Sequence, residues 1–236
     1  MYPSDSIVSI IVLARPPVAE IIKTLLIVHP FSSNIISCYN VYVNKVYLEE
    51  NIFYMEDFLS EESYLTLLDF CNSGDFTFGD PHVKQRGIKY VHPNVDVKYI
   101  KAYDEYIKKM KSIFDNEIHS LVPLNHIQTY KKYEPEMGYD KHLAMGPHFD
   151  DEGYRKDYNF QDLDEPVIYF GAIYYLNDNY AGGELLYPEK NISVKPKANM
   201  LVAHAGPKEY THAVNQVLGN DRFQIPAFVR NNKCIV

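Results

Sequence analysis

The sequence predicts a mainly β chain with supporting helices, closed as a double-stranded β-helix or jelly roll. Downstream of His126 it becomes a succession of short apolar or alternating segments: Ile127 to Tyr133, Val167 to Leu176, Glu184 to Tyr187, Ile192 to Val194, Asn199 to His204, Thr211 to Val217 and Arg222 to Val229. Prolines and glycines separate most of them, as turns separate strands. Upstream lies a helical segment, and many short antiparallel strands after helices are the pattern of a barrel made from two facing sheets. A chain of 236 residues can bury one substantial core, and no internal repeat or low-complexity tract points elsewhere.

The first 46 residues stand apart. Ile7 to Leu13 and Ile21 to Val28 are apolar, but Arg15-Pro16-Pro17 and Glu20 interrupt them, which argues against a membrane span. No basic stretch precedes the first run and no clear small-residue cleavage site follows it, so a secretory leader fits poorly. The expected division is therefore an N-terminal extension of unassigned role, 1–46, and one domain, 47–236. Tyr47 to Phe58 reads as extended. Ser60 then offers a helix cap with Glu61 and Glu62 in the first turn, opening a helix through about Cys71. Between Tyr99 and Leu121, Ile100, Tyr103, Ile107, Met110, Phe114 and Ile118 recur at steps of three and four, giving a second helix with one apolar face to back the barrel. Near the C-terminus, Leu218-Gly219-Asn220-Asp221 is a turn signal that would pair Thr211–Val217 with Arg222–Val229 as a hairpin, about 16 Å of strand separating His212 from Arg222.

Composition excludes several classes. A hydrophobic fraction of 46% with 23% charged residues is that of a globular chain, and a net charge of −8 argues against a nucleic-acid partner. Three cysteines without paired spacing suggest neither a disulfide framework nor a zinc module, which fits a reducing, cytoplasmic setting with no membrane partner. Tyrosine is abundant, 21 residues against no tryptophan; most serve as strand formers, and a few are expected to line a groove.

The chemistry concentrates in His148-Phe149-Asp150, His212 and Arg222. On extended backbone His148 and Asp150 share a face, where a distant histidine completes a facial metal site. Two imidazoles and one carboxylate fill three positions of an octahedral ion and leave adjacent ones open, which suits non-haem Fe(II). Among nine histidines, only His148 has a carboxylate two residues on and only His212 an arginine ten residues on. The competitors His204 and His142 have Val214 and Glu152 at that distance, so neither supplies a cation. His204 is expected on the preceding strand, inside or beside the barrel. Gly146-Pro147 places the pair where a loop enters a strand at the barrel mouth.

Together with Gly182-Gly183-Glu184 and Tyr187-Pro188, these residues resemble the 2-oxoglutarate and Fe(II)-dependent dioxygenases, specifically their prolyl 4-hydroxylase-like branch, from about Tyr47 to Val229. The resemblance implies a dioxygenase that hydroxylates an unactivated C–H bond, most simply of a prolyl residue in a peptide or protein. His148, Asp150 and His212 would be the catalytic iron ligands, with 2-oxoglutarate, O2 and ascorbate as the small molecules. The guanidinium of Arg222 would clamp the distal carboxylate as a planar fork. A tyrosine is implied beside that carboxylate, Tyr133 fitting best and Tyr130 second. Two departures bear on the substrate. Arginine stands where prolyl 4-hydroxylases commonly use lysine, and a six-residue insertion containing His142 precedes His148. The charged segment Asp151–Glu165 is read as either a substrate lid or a solvated connection. Two other functions remain open: hydroxylation of a free amino acid or other small molecule, and a non-catalytic jelly-roll binding module.

Overall fold

The computed structural model describes residues 45–78, 86–91, 93–122, 124–130, 143–157 and 164–234. The expectations for residues 1–44, Tyr133 and His142 lie outside that set. Along the described residues the chain runs β1 (Val46–Glu49), β2 (Ile52–Met55), α1 (Glu61–Asn72), β3 (Thr77–Phe78), β4 (Arg86–Tyr90), α2 (Val97–Phe114), β5 (His119–Val122), β6 (His126–Tyr130), β7 (Leu143–His148) and α3 (Asp150–Asp157). It continues through β8 (Ile168–Tyr175), β9 (Ala181–Gly182), β10 (Leu185–Tyr187), β11 (Ile192–Val194), β12 (Met200–Ala205), β13 (His212–Asn215), β14 (Val217–Leu218) and β15 (Arg222–Asn231).

Two antiparallel sheets make the barrel. The larger has the order β1-β2-β12-β8-β15-β6-β4-β3, with β5 also on β15; the smaller has the order β11-β10-β13-β7. Alternation along the large sheet feeds two cores, because successive side chains point to opposite faces. Phe53, Ala172, Tyr174, Leu201, Ala203, Ile225 and Ala227 join the cluster built with Leu67 and Phe70 of α1 and Tyr103, Tyr106 and Met110 of α2. Their neighbours Ile52, Tyr175, Val202 and Tyr130 instead meet Leu185, Tyr187 and Val214 of the small sheet. The helices thus cover the outside of the large sheet, and the barrel interior lies between the sheets.

The helix signals held, with one limit. The Ser60 hydroxyl accepts a bond from Ser63 N at 3.3 Å and caps α1. Helix α2 stops at Phe114 instead of continuing to Leu121, and Ile118 is 59% exposed. Side-chain carbonyls replace the helical bonds there: Asp115 Oδ1 accepts from Leu121 N at 2.6 Å, and Asn116 Oδ1 from Ile118 N and His119 N at 2.8 and 2.9 Å. Short Asp and Asn side chains compete with the helix ladder in this way, and they turn the chain into β5. No described helix is long and apolar enough to cross a membrane, and the described cysteines, Cys71 and Cys234, are free thiols.

Two expectations are corrected. Thr211–Val217 and Arg222–Val229 do not form a hairpin: β13 pairs with β7 and β10 in the small sheet, while β15 pairs with β8, β6 and β5 in the large one. The turn at Gly219, with φ +83°, is a crossing between sheets, so the 16 Å separation, which assumed one ladder, does not apply. The metal-ligand pair also lies where a strand ends rather than begins, since His148 closes β7 and Asp150 opens α3.

Helix α3 also occupies the first half of the segment read as a lid or loose connection, and Asp151 fastens it. Its carboxylate accepts bonds from Val167 N and Ile168 N at 2.7 and 2.8 Å and meets Arg155 Nε at 2.6 Å. Removing a buried acceptor strands its donors, a loss of about 3 kcal/mol for a charged, multiply bonded group. Asp151→Ala is therefore expected to destabilise the protein by about that amount in chemical denaturation. Asp151→Asn, which keeps one carbonyl acceptor, is expected to lose less than half as much.

Candidate metal centre

The small sheet brings the two histidines together. In the β13–β7 ladder His212 lies directly opposite His148, and their ring centroids are 4.3 Å apart. Asp150, at the first position of α3, turns back to the same point. One donor atom from each of His148, Asp150 and His212 falls within a mutual spread of 4.8 Å, and His212 Nε2 stands 3.9 Å from Asp150 Oδ1. In both histidines the other ring nitrogen faces a backbone carbonyl two residues back, His148 Nδ1 to Gly146 O at 2.9 Å and His212 Nδ1 to Tyr210 O at 3.1 Å. That contact fixes the tautomer and leaves the Nε2 lone pair for a ligand, the usual support of a metal-binding imidazole.

The large sheet supplies the opposite wall. A Cβ at Gly171 would stand 1.9 Å from Asp150 Oδ2, so only glycine lets the carboxylate reach the cluster. His204, set aside in the sequence as a competitor for the second ligand, lies on β12 opposite Gly171. It is 1% exposed, 3.8 Å by Nε2 from Asp150 Oδ2 and 4.1 Å ring to ring from His212. A cavity of about 120 Å³ opens onto the cluster. It runs past Ile173, Val214 and Pro226 to Gln128, Tyr130 and Gln224.

Arg222, at the start of β15, is 0% exposed. Its Nη1 donates to Gly183 O at 2.9 Å, while Nε and Nη2 have no partner among the described residues. Among the described residues no carboxylate pairs with it. The rings of Tyr130 and Tyr175 flank the guanidinium at 4.7 and 5.5 Å, and the cavity ends at Tyr130 rather than at the arginine itself. The hydroxyls of Tyr175, Tyr180 and Tyr187 are likewise buried without partners. Burial pushes the Tyr175 hydroxyl up to about 12, against the opposing pull of Arg222, so it stays a proton donor. The Gly182-Gly183 turn is built for this contact: both residues have φ near +68°, and Gly183 points its carbonyl at Arg222.

Of the residues singled out in the sequence, His148, Asp150 and His212 converge and Arg222 lies inside the same barrel, with Tyr130 against it. The sequence did not single out Tyr175. A period of two along β8 shows that Tyr174 and Tyr175 face opposite ways, but not which one faces in. The donor set fits a divalent first-row metal, and the unpartnered guanidinium and hydroxyls fit a carboxylate.

Burial has a consequence for acid stability. It pushes His212 down to about 3 and His204 down to about 4, whereas an unfolded imidazole takes up a proton near 6.5. The unfolded chain therefore binds more protons throughout that window, and the stability present above pH 6.5 is lost as pH falls towards 4. Asp150, pushed up by burial, acts in the opposite sense and offsets part of the loss. The metal-free protein is expected to lose about 2 kcal/mol per buried histidine between pH 7 and pH 5, measured by denaturant titration. A flat profile would contradict the neutral, buried imidazoles.

No protein-family model and no curated protein matches the chain; solved structures do. A prolyl-4-hydroxylase from Pseudomonas putida superposes with a TM-score of 0.51 at 15% identity, over 76% of this chain and 92% of its own. A viral collagen prolyl hydroxylase from Paramecium bursaria Chlorella virus-1, in a 2OG complex, gives 0.47 at 15% identity over 77% and 96%. A Trichoplax adhaerens prolyl hydroxylase, in complex with a hypoxia-inducible-factor peptide fragment, gives 0.49 at 16% identity over 78% and 84%. At 15% identity the Pseudomonas putida structure bears on architecture alone, and with the antiparallel sheets described above it shows a jelly-roll fold.

Proposed function

We propose that the protein is an Fe(II)- and 2-oxoglutarate-dependent dioxygenase that hydroxylates an unactivated C–H bond, with a prolyl residue of a peptide or protein as substrate. The observation that carries this reading is the buried, unpaired Arg222 in the same barrel as the open His148–Asp150–His212 cluster. A guanidinium taken out of water loses several kcal/mol of hydration unless it meets an anion. A non-catalytic module has no need for a cation at that depth. A dicarboxylate whose far end meets Arg222 and whose near end reaches the metal accounts for both features.

When bound, iron and 2-oxoglutarate supply the oxidation, with O2 consumed, succinate and CO2 released and one oxygen left on the substrate. The chain's own residues do the rest. His148, Asp150 and His212 would hold the metal through three donors and would leave positions open for the cosubstrate and O2. Arg222 and the Tyr175 hydroxyl orient the distal carboxylate, with Tyr130 as the ring that must turn to admit it. Ile173, Val214, Pro226 and Ala227 line the cavity with hydrocarbon and exclude water. The prolyl reading draws on the sequence motif and on the Pseudomonas putida prolyl-4-hydroxylase of the same architecture.

The test is succinate release that depends on iron and on added proline-rich peptide, with mass spectrometry reading the gain of one oxygen. Uncoupled turnover with every peptide, alongside hydroxylation of free proline, would move the substrate to a small molecule. No binding of 2-oxoglutarate to the metal-loaded protein would sink the reading. Arg222→Ala is expected to raise the KM for 2-oxoglutarate on the order of a hundredfold, the loss of a charge-assisted pair of about 2–3 kcal/mol. Its metal affinity is expected to stay within about twofold of wild type, and Arg222→Lys to fall between the two because a point charge lacks the fork.

A further inference from the structure

We propose that His204 is a positioning residue of the metal centre: its Nε2 holds the outer oxygen of the Asp150 carboxylate, so that the other oxygen alone faces the metal. The proposal rests on the metal-site reading above and needs neither the cosubstrate nor the substrate assignment.

The Asp150 carboxylate is divided between two imidazoles. Oδ1 stands 3.9 Å from His212 Nε2, and Oδ2 stands 3.8 Å from His204 Nε2. Oδ2 is also the atom seated over the bare Cα of Gly171, where a Cβ would approach to 1.9 Å of it and to 3.0 Å of His204 Cε1. One oxygen therefore occupies a slot with Gly171 as its floor and His204 as its wall. Among the described residues His204 is the one candidate donor beside the carboxylate, because His212 with its proton on Nδ1 turns a lone pair towards Oδ1. A buried carboxylate oxygen left without a donor is unfavourable by about 1–3 kcal/mol, and His204 is the group in place to supply one. Closing 3.8 Å to hydrogen-bond length needs a shift of about 1 Å.

His204 is held firmly enough for the task. Strand β12 lies between β2 and β8 in the large sheet, with His204 paired to Ile52 on one side and Gly171 on the other. The ring is packed edge-on against Tyr187 at 5.5 Å and tilted against His212 at 4.1 Å. It does not join the three residues whose ligand atoms lie within 4.8 Å of one another, and its Nε2 faces Asp150 Oδ2 at 3.8 Å. An uncharged imidazole carries one proton. On Nδ1 that proton bonds Ala205 O at 3.2 Å, the kind of backbone contact the other two site histidines also make, and in the proposed arrangement it sits on Nε2 instead. On Nε2 it meets a carboxylate, the stronger acceptor. A donor so placed would set the carboxylate plane, and that plane would decide whether Asp150 could take one metal position or two. Taking one leaves three open.

The experiment uses the full chain with Co(II) as the probe. His204→Phe and His204→Leu remove the donor, and His204→Gln keeps an N–H near the Nε2 position. Melting of the metal-free variants reports folding, and visible absorption during Co(II) titration reports affinity and coordination. The two apolar variants are expected to bind Co(II) about 10- to 100-fold more weakly, the range for lost support of a metal ligand, with His204→Gln recovering at least half of that loss on a logarithmic scale. Should neither apolar variant melt cooperatively, His204→Gln decides: affinity within about threefold of wild type supports the assignment and loss beyond about tenfold overturns it. Unchanged affinity and spectrum in His204→Phe would overturn it, as would restoration of the wild-type spectrum by added imidazole, the mark of a direct ligand. Wild-type protein that binds Co(II) but not 2-oxoglutarate ends the oxygenase reading and leaves the His204 assignment standing; wild-type protein that binds no Co(II) ends both.

Discussion

The antiparallel register that sets His212 opposite His148 is the constraint on which the centre depends. Side chains on a strand alternate between faces, so a slip of one residue between β7 and β13 would send one imidazole out of the barrel. The register is held by what surrounds it. Val214 pairs with Met145 and with Leu185, Leu185 and Val214 sit in the interior core, and an irregularity in β7 between Met145 and His148 then brings His148 opposite His212. The hydrophobic alternation of the small sheet and the metal geometry are thus one fact, because burying Val214 and pointing His212 inward require the same face. Asp150 then need not lie on that ladder. It arrives from α3, which Asp151 ties to the start of β8.

The opposite end of the barrel poses the reverse electrostatic problem. The centre gathers a carboxylate that wants a cation, and the far end buries a cation that wants a carboxylate. Neither is neutralised by the other, since the large sheet keeps them apart: Gly171, beside Asp150, and Tyr175, beside Arg222, lie on one face of β8 four residues apart, about 13 Å of strand. Two uncompensated charges of opposite sign at that spacing are a poor device for stability. They make sense as the two ends of a binding site for a molecule that is anionic at its tail and chelating at its head.

Much of this was legible in the sequence, for reasons that differ by residue. The strands after His126 and the two helices follow from short-range periodicity, and the spacing of His148, Asp150, His212 and Arg222 identified groups that do converge or share the barrel. Long-range pairing was not legible. The Leu218–Asp221 turn has hairpin residues, yet the chain crosses there from one sheet to the other, because Arg222 is drawn to Tyr130 and Gln224 to Tyr175 across strands distant in sequence. Local turn chemistry fixes a reversal and says nothing about which neighbour the next strand finds. His204 shows the same limit. Spacing rules discarded it for lacking a cation ten residues on, but its proximity to Asp150 comes from the β12–β8 register and the missing side chain at Gly171.

That last point bears on how the centre avoids saturating its own metal. Three imidazoles and a carboxylate in one pocket would hold a divalent ion tightly and leave little of it open. Here one imidazole, His204, stands outside the group of three donors and faces the carboxylate's outer oxygen at 3.8 Å. Placement on an interior strand of the large sheet keeps it there, because β12 is paired on both edges, with β2 and with β8. In the proposed centre a residue that could compete for an ion is turned on the carboxylate instead, and the open side of a bound metal would be preserved by the sheet that holds His204 rather than by the absence of donors.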